Sequence, residues 1–386
     1  MKKYNYLMAA LVACNLFATS CANVDNDGVN SETNLPNAVY IDGADKQIMN
    51  KVSVKENGGE AEFTPRTSNL ATENVTVAIT SDEEALNRFN KENGARYTLL
   101  PKEYYELSAE EVTIEKGNVS GNPIKVTIKA TAATELDATK KYALPLSIVS
   151  KSNLQALKSS STKIFALDRI LKTSALVHRG FNLKMSFPED KPLFMEEWTL
   201  QYAICADNPT ASGNQAVIST ATEDLGFYSR MVNSGNIQFK TAGSDEDNTY
   251  LYAKGSVPAK KWIIITWVYK DQHITAYVNG VQTNYFIAKA VKFPWIATGW
   301  GASYRGLMRD VRLYNKAMTA FQISEALYVE DPANENLVFY APLDKVNQLK
   351  NVATSKASKD SGASDFSISV NPNATLSYED STFPAE

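Results

Sequence analysis

Histidine and cysteine are scarce in this chain of 386 residues: only His178 and His273, and Cys14, Cys21 and Cys205. The two histidines lie too far apart to share one face of a zinc helix, and no cysteine pair has metal-ligand spacing. No glycine-rich phosphate loop is present, so nucleotide and zinc chemistry are set aside. A basic excess is also lacking. The 39 Lys and Arg are outnumbered by 43 Asp and Glu, giving a net charge of −4. Nucleic acid and anionic membrane surfaces need a basic face, so neither is expected as a partner.

Carboxylates at catalytic spacing are missing as well. A retaining glycosidase needs a nucleophile and an acid about 5 Å apart, which E-x-D-x-E or E-x-D-x-x-E alternation along a strand would supply. Neither pattern occurs. Glu196 and Glu197 are adjacent and would face opposite sides of a strand, while Asp245-Glu246-Asp247 sits in a Gly/Ser/Asn-rich stretch and reads as solvated surface. Asp207 with Asn208, and Asp245 with Asp247 and Asn248, offer loop oxygens of the kind calcium takes, but turn formation accounts for them. No enzyme, metal or cofactor is expected.

The N-terminus is where the one long apolar run lies. Lys2 and Lys3 precede Leu7 to Ala18, and Ser20-Cys21 follows. Residues 1–20 read as a signal peptide, too short to span a bilayer. Cys14 and Cys21 both follow small residues, but cleavage at Cys14 would halve the apolar run, so Cys21 is the expected lipidation site. Cleavage near Ser20 without lipid is the alternative. Residues 21–36 are polar and acidic and read as a flexible tether. ANVDNDGVNSETN resembles the surface-export signal of Bacteroides-type lipoproteins, which implies an outer-membrane, cell-surface location with lipid as the sole membrane attachment. Cys205 alone would remain, so no intramolecular disulfide is expected. Within WTLQYAIC it reads as a small buried hydrophobe.

Beyond the tether, short β-type runs succeed one another: AVYI, EAEFT, NVTVAIT, EVTIE, PIKVTIKA, LPLSIV and TKIFALD. Turn chemistry separates most of them, the pattern of a β-sandwich. One helix interrupts the series, with Ser81 and Glu84 as a capping box, Leu86 and Phe89 on one face and Gly94 at the C-cap. The stretches YTLLPKEYYEL (97–107), VTIEKGN (112–118) and YALPLSI (142–148) resemble the immunoglobulin-like domain of unknown function that opens many Bacteroides-type lipoproteins. That resemblance implies a spacer or platform over residues 37–170.

Residues 171–386 continue as β. KWIIITWVYKDQHITAYVNG (261–280) and GLMRDVRLYNKAMTAFQISEA (306–326) resemble the paired signature of a laminin-G or concanavalin A-like jelly-roll sandwich. Trp262, Trp267, Tyr277, Val278, Asn279, Gly280, Asp310, Arg312, Tyr314, Asn315 and Met318 carry the resemblance. Asn279-Gly280 predicts a two-residue hairpin, and a helix is expected over Thr319 to Tyr328. The fold class is therefore all-β, two sandwiches in series, and the resemblance implies sugar binding as the common use of the second.

Sugars present C–H faces that stack on aromatic rings, with polar neighbours bonding the hydroxyls. In FPWIATGWGASYRG (293–306), Trp300, Tyr304 and Arg305 fall among small residues and are expected on a loop. Tyr228, Arg230 and Asn233, with Asn248 and Tyr250 nearby, form a second group. Trp262 and Trp267 read as core, Asp310 and Arg312 as structural, and His273 as a solvated strand residue beside a turn. The expected partners are a glycan and, from the resemblance, the outer-membrane transporter and companion lipoproteins of a polysaccharide-utilisation system. A divergent glycoside hydrolase and an adhesin for host protein are the alternatives.

Overall fold

In strand Lys141–Ser150, KYALPLSIVS, every residue from Tyr142 to Ile148 is buried. The computed structural model, which describes residues 37–190, 193–211, 214–220, 226–241, 249–299 and 303–383, shows why. Leu144, Leu146 and Ile148 enter the core of the first domain, whereas Ala143 faces the opposite way under Leu86 and Phe89. Strand Thr162–Arg169 divides its side chains likewise, Phe165 and Leu167 to the core, Ile164 and Ala166 to the helix side. Both strands read as continuous apolar runs because both faces of their sheet are covered.

The covering helix is Glu83–Asn93. Its N-cap is Asp82 rather than the expected Ser81. Ser81 still belongs to strand Val75–Ser81 and pairs with Leu146, whereas the Asp82 carboxylate accepts from Ala85 N at 2.9 Å and from Ser147 Oγ at 2.7 Å. Gly94 closes the helix at φ 60°. Among the described residues a six-stranded sheet packs against two three-stranded sheets, and the first domain's last strand ends at Arg169.

Strand Leu171–His178 opens the second domain, in which an eight-stranded sheet faces a six-stranded one among the described residues. Trp198, Leu200, Tyr202 and Ile204 alternate inward along Trp198–Ala206, and Ile263, Ile265, Trp267 and Tyr269 do so along the neighbouring Trp262–Lys270. Phe227, Phe239 and Trp198 stack between the layers. Fully burying side chains of this size contributes about 1.5–3 kcal/mol each, and these three belong to a much larger buried apolar cluster. Asn279 at φ 50° and Gly280 at φ 80° form the tight turn between His273–Val278 and Val281–Ile287.

On the outward face of the eight-stranded sheet lies a buried ion-pair network. Strand Gly306–Tyr314 bulges opposite Gln201 to Ala203, with Asp310 at φ 55°. The bulge turns the Asp310 carboxylate onto Arg309, onto Arg312 at 3.1 Å and onto the Tyr340 hydroxyl at 2.8 Å. Arg312 donates onward to Gln201 Oε1 and to the Ala326 carbonyl, so it pins the helix Ala320–Glu325 to the sheet. That helix is shorter than expected. Thr319 and Gln322 form its capping box, and the Ala326 backbone has already left helical geometry.

Candidate functional site

Alternation along strand Phe227–Met231 buries Phe227, Ser229 and Met231 and leaves Tyr228 and Arg230 half-exposed. Register carries this outward face across the six-stranded sheet. Lys240 lies opposite Tyr228, Tyr228 opposite Ser219, Ser219 opposite Ala297, and Ala297 opposite Lys184. The row from Lys240 to Lys184 spans four strand spacings, roughly 19 Å. Ser219 and Ala297 are covered, so the half-exposed groups sit toward the two ends.

Each end pairs a cation with a ring. The Arg230 guanidinium lies 5.5 Å from the Tyr228 ring centre, and Lys184 Nζ lies 5.0 Å from that of Trp295. Such contacts contribute about 0.5–1 kcal/mol at exposed sites, enough to favour these ring orientations. Arg230 Nε also donates to Gln238 Oε1 at 3.0 Å, and Gln238 is buried. The Nε bond orients the guanidinium, and among the described residues its two Nη groups have no hydrogen-bond partner and can donate to hydroxyls. Two oriented rings with adjacent N–H donors are a chemistry suited to a polyhydroxylated ligand.

The other expected group divides. Trp300 and Asn248 lie outside the described residues, as do Cys21, Asp245 and Asp247. Arg305 is exposed, but Tyr304 is fully buried, a correction to its expected place on a loop surface. Its hydroxyl donates to the Leu307 carbonyl at 2.9 Å, and its ring meets His178 edge-on at 5.4 Å. His178 stacks on Phe181 at 4.7 Å, and its Nε2 lies 3.1 Å from Thr298 Oγ1. Burial depresses the imidazole to about 4, so it is neutral at physiological pH. Backbone at Gly299 crosses this ring so closely that a Cβ there would lie 2.0 Å from Cε1. Gly299 thus admits close packing of backbone against the His178 ring.

Two further expectations change. Trp262 is half-buried rather than core, because it stands five positions before Trp267 on one strand and so faces the other side of the sheet. Cys205, paired with Trp262, is half-exposed on that same face rather than buried. Partial burial, with Asp207 and Glu379 nearby, raises its thiol pKa, which disfavours the nucleophilic thiolate. His273 is half-exposed and stacks on Tyr285 at 4.8 Å, following the turn at Asp271 and Gln272. Lys184, Lys240 and Trp295 were not among the expected binding residues. Strict alternation from the buried Met185, Phe239 and Ile296 places all three outward.

Of the acidic residues weighed above, Glu197 of the pair considered for catalysis lies 3.7 Å from Lys270, and Asp207 of the group considered for calcium lies 3.1 Å from Arg179.

Comparison with known proteins agrees with this architecture. Residues 188–324 match the model of the concanavalin A-like lectin/glucanase superfamily, and residues 34–155 match that of an N-terminal domain family. The C-terminal domain is thus a concanavalin A-like sandwich. A Bacteroides ovatus structure described as a candidate carbohydrate-binding protein is 18% identical and superposes with a TM-score of 0.51, covering 89% of this chain and 97% of its own. Domain 4 of AbnA, a GH43 extracellular arabinanase of Geobacillus stearothermophilus solved with arabinotriose, is 15% identical over 40% of this chain and 76% of its own, with a TM-score of 0.31. A SAP-like pentraxin of Limulus polyphemus is 14% identical over 39% and 80%, with a TM-score of 0.32. No curated protein matches the chain.

Proposed function

We propose that the C-terminal concanavalin A-like domain binds carbohydrate on the outward face of its six-stranded sheet, and that the chain acts as a glycan-capturing lipoprotein at the cell surface. The observation carrying this reading is the pair of ring-and-cation units, Tyr228 with Arg230 and Trp295 with Lys184, on one face of a lectin-type sandwich. The likeness over 89% of the chain to the Bacteroides ovatus protein described as a candidate carbohydrate-binding protein supports it. Lipid on Cys21 and delivery of captured oligosaccharide to an outer-membrane transporter complete the proposal, as parts of a polysaccharide-utilisation system. The protein would act by binding and not by hydrolysis.

A glycan-array screen of the purified protein, followed by calorimetry on each hit, tests the reading. Binding that weakens in Tyr228→Ala and Arg230→Ala supports the sheet face. New reducing ends on incubation with polysaccharide would instead favour the hydrolase, and an array with no hit would remove the carbohydrate reading. Membrane fractionation of Cys21→Ala tests the anchor, because the variant should appear in the soluble fraction.

A further inference from the structure

Between the two domains lies an open cleft of ≈ 1450 Å³. Its floor is the outward face of the eight-stranded sheet, where Trp262, Cys205 and Leu307 occupy neighbouring positions on three strands. One wall comes from the first domain, at Glu56 and Asn57 and at Thr131 and Thr134. The other is strand Tyr378–Phe383, through Glu379 to Thr382.

Trp262 is backed from within the domain. Its ring meets the buried Phe383 edge-on at 4.9 Å, and Phe383 is in turn held by the Arg309 guanidinium at 4.7 Å and by Tyr328 at 6.2 Å. The indole is therefore fixed in orientation, while the surface it leaves exposed lines the cleft. A half-exposed, immobilised aromatic ring in a trough is a stacking surface for a pyranose.

The charges of the lining indicate which class of sugar fits. Lys55, Lys172, Lys260 and Arg169 face Glu56, Glu379 and Asp380. Lys172 already pairs with Glu56 across the two domains at 2.7 Å, and Asp380 with Lys345 at 2.6 Å. Arg169 is buried and engaged by the carbonyls of Leu136, Asp137 and Lys140. With the Arg169 charge offset by Asp137 beside it, a lining this close to neutral gives little net attraction to a polyanion, while hydroxyls and carboxylates on both walls suit an uncharged, hydroxyl-rich chain.

Both walls are pre-positioned. Phe89 of the first domain packs edge-on against Phe321 of the second at 6.2 Å, and Tyr97 bonds Glu325 across the same junction. A cleft held open by a packed junction needs little reordering on binding. We propose that it is a second carbohydrate site, taking an uncharged oligosaccharide with Trp262 as the stacking platform and the first domain as a wall. This rests on the carbohydrate reading above and adds a site that the sheet face does not include.

Cys205 in the floor provides a direct readout. Maleimide labelling of Cys205 in the full chain, mapped by peptide mass, is followed with and without neutral hexaoses (xylohexaose, mannohexaose, cellohexaose, maltohexaose), with an oligogalacturonate as charged control. The binding hexaose should slow labelling at least about fivefold, and the oligogalacturonate should not. Trp262→Ala should abolish that protection and weaken calorimetric affinity about tenfold, Trp262→Phe should keep much of both, and Tyr228→Ala should leave protection unchanged. Protection is read on the unaltered protein, so the test stands even where Trp262→Ala does not fold. Calorimetric binding of a hexaose with Cys205 labelled at its free rate would overturn the cleft site and leave the carbohydrate reading intact. Absence of binding to every array glycan and hexaose would overturn both.

Discussion

Tyr97 of the first domain donates its phenolic hydrogen to the carboxylate of Glu325 in the second. Lys51 Nζ lies 3.2 Å from the same carboxylate and Lys141 Nζ 3.7 Å from it, while Lys141 also donates to the Glu325 carbonyl at 3.2 Å. The Glu325 side chain is 4% exposed, so these groups interact out of water. Burial raises the Tyr97 phenol well above its ordinary range, with the Glu325 charge adding to it, and burial lowers the Lys141 ammonium. The two sandwiches therefore share a polar latch beside the apolar contact of Phe89 with Phe321.

Glu325→Ala would leave the largely covered Lys141 cation and the buried Tyr97 hydroxyl without their partner. Removing one member of a buried pair costs about 3–5 kcal/mol, whereas half-exposed Lys51 contributes little. Denaturant unfolding should show a loss of this order, with the transitions of the two domains separating. Glu325→Gln, which keeps an acceptor for Tyr97, should lose less. A single transition within about 1 kcal/mol of the parent in Glu325→Ala would show that the apolar contact alone joins the domains.

His178 should give stability a pH dependence of definite sign. Its folded-state pKa of about 4 lies below the ordinary 6.5, so the unfolded chain binds the proton first as pH falls. The contribution is complete above pH 6.5, declines between 6.5 and about 4, and levels off below. The shift corresponds to roughly 3 kcal/mol over that window. Urea midpoints of the parent and His178→Gln, taken from pH 7.5 to 4, should converge as pH falls. Parallel curves would remove His178 as the cause.

The sequence carried much of the architecture because strands announce themselves locally. Asn279-Gly280 specifies its turn from two residues, and Gly94 its helix end from one. Site geometry was less legible, since it depends on which face a side chain takes and on what covers that face. The odd spacing of Trp262 and Trp267 already placed them on opposite faces, a signal that their shared aromatic character obscured. Tyr304 could not be assigned in that way. Its burial follows from His178, 126 positions earlier and on another strand, and no local pattern reports that contact. The Tyr97–Glu325 latch joins residues still more remote, 228 positions apart.

Asp310 tests whether the D-V-R segment is structural. Burial alone would raise its carboxyl pKa, but Arg309 and Arg312 outweigh that and hold it below the usual carboxylate range. Its stabilisation is thus present above the unfolded-state value and is lost as pH falls through the lower folded-state one. Asp310→Ala should cost about 3–5 kcal/mol by stranding two buried guanidinium groups. Asp310→Asn, which tolerates the positive φ, should cost less and flatten the acid limb of stability against pH. Thermal melts from pH 7 to 2 distinguish the outcomes, and an unshifted melt in Asp310→Ala would contradict the network.

Tyr228 and Arg230 make the sheet-face site quantitative. A single shallow carbohydrate site of this kind should bind in the millimolar to micromolar range, about −4 to −8 kcal/mol. Truncating a ring that serves as its anchor should remove on the order of 1–3 kcal/mol, so Tyr228→Ala should weaken binding of an array hit about tenfold or more. Arg230→Lys separates charge from geometry. It keeps the cation but loses the planar fork that Gln238 orients, and affinity should fall although net charge is unchanged. Both side chains are half-exposed and lie outside the core, so melting temperatures should move little. Calorimetry and melting on the same samples decide the matter. Affinity unchanged in both variants would place the ligand elsewhere, and a large fall in melting temperature with either would show that the ring and guanidinium serve the fold instead.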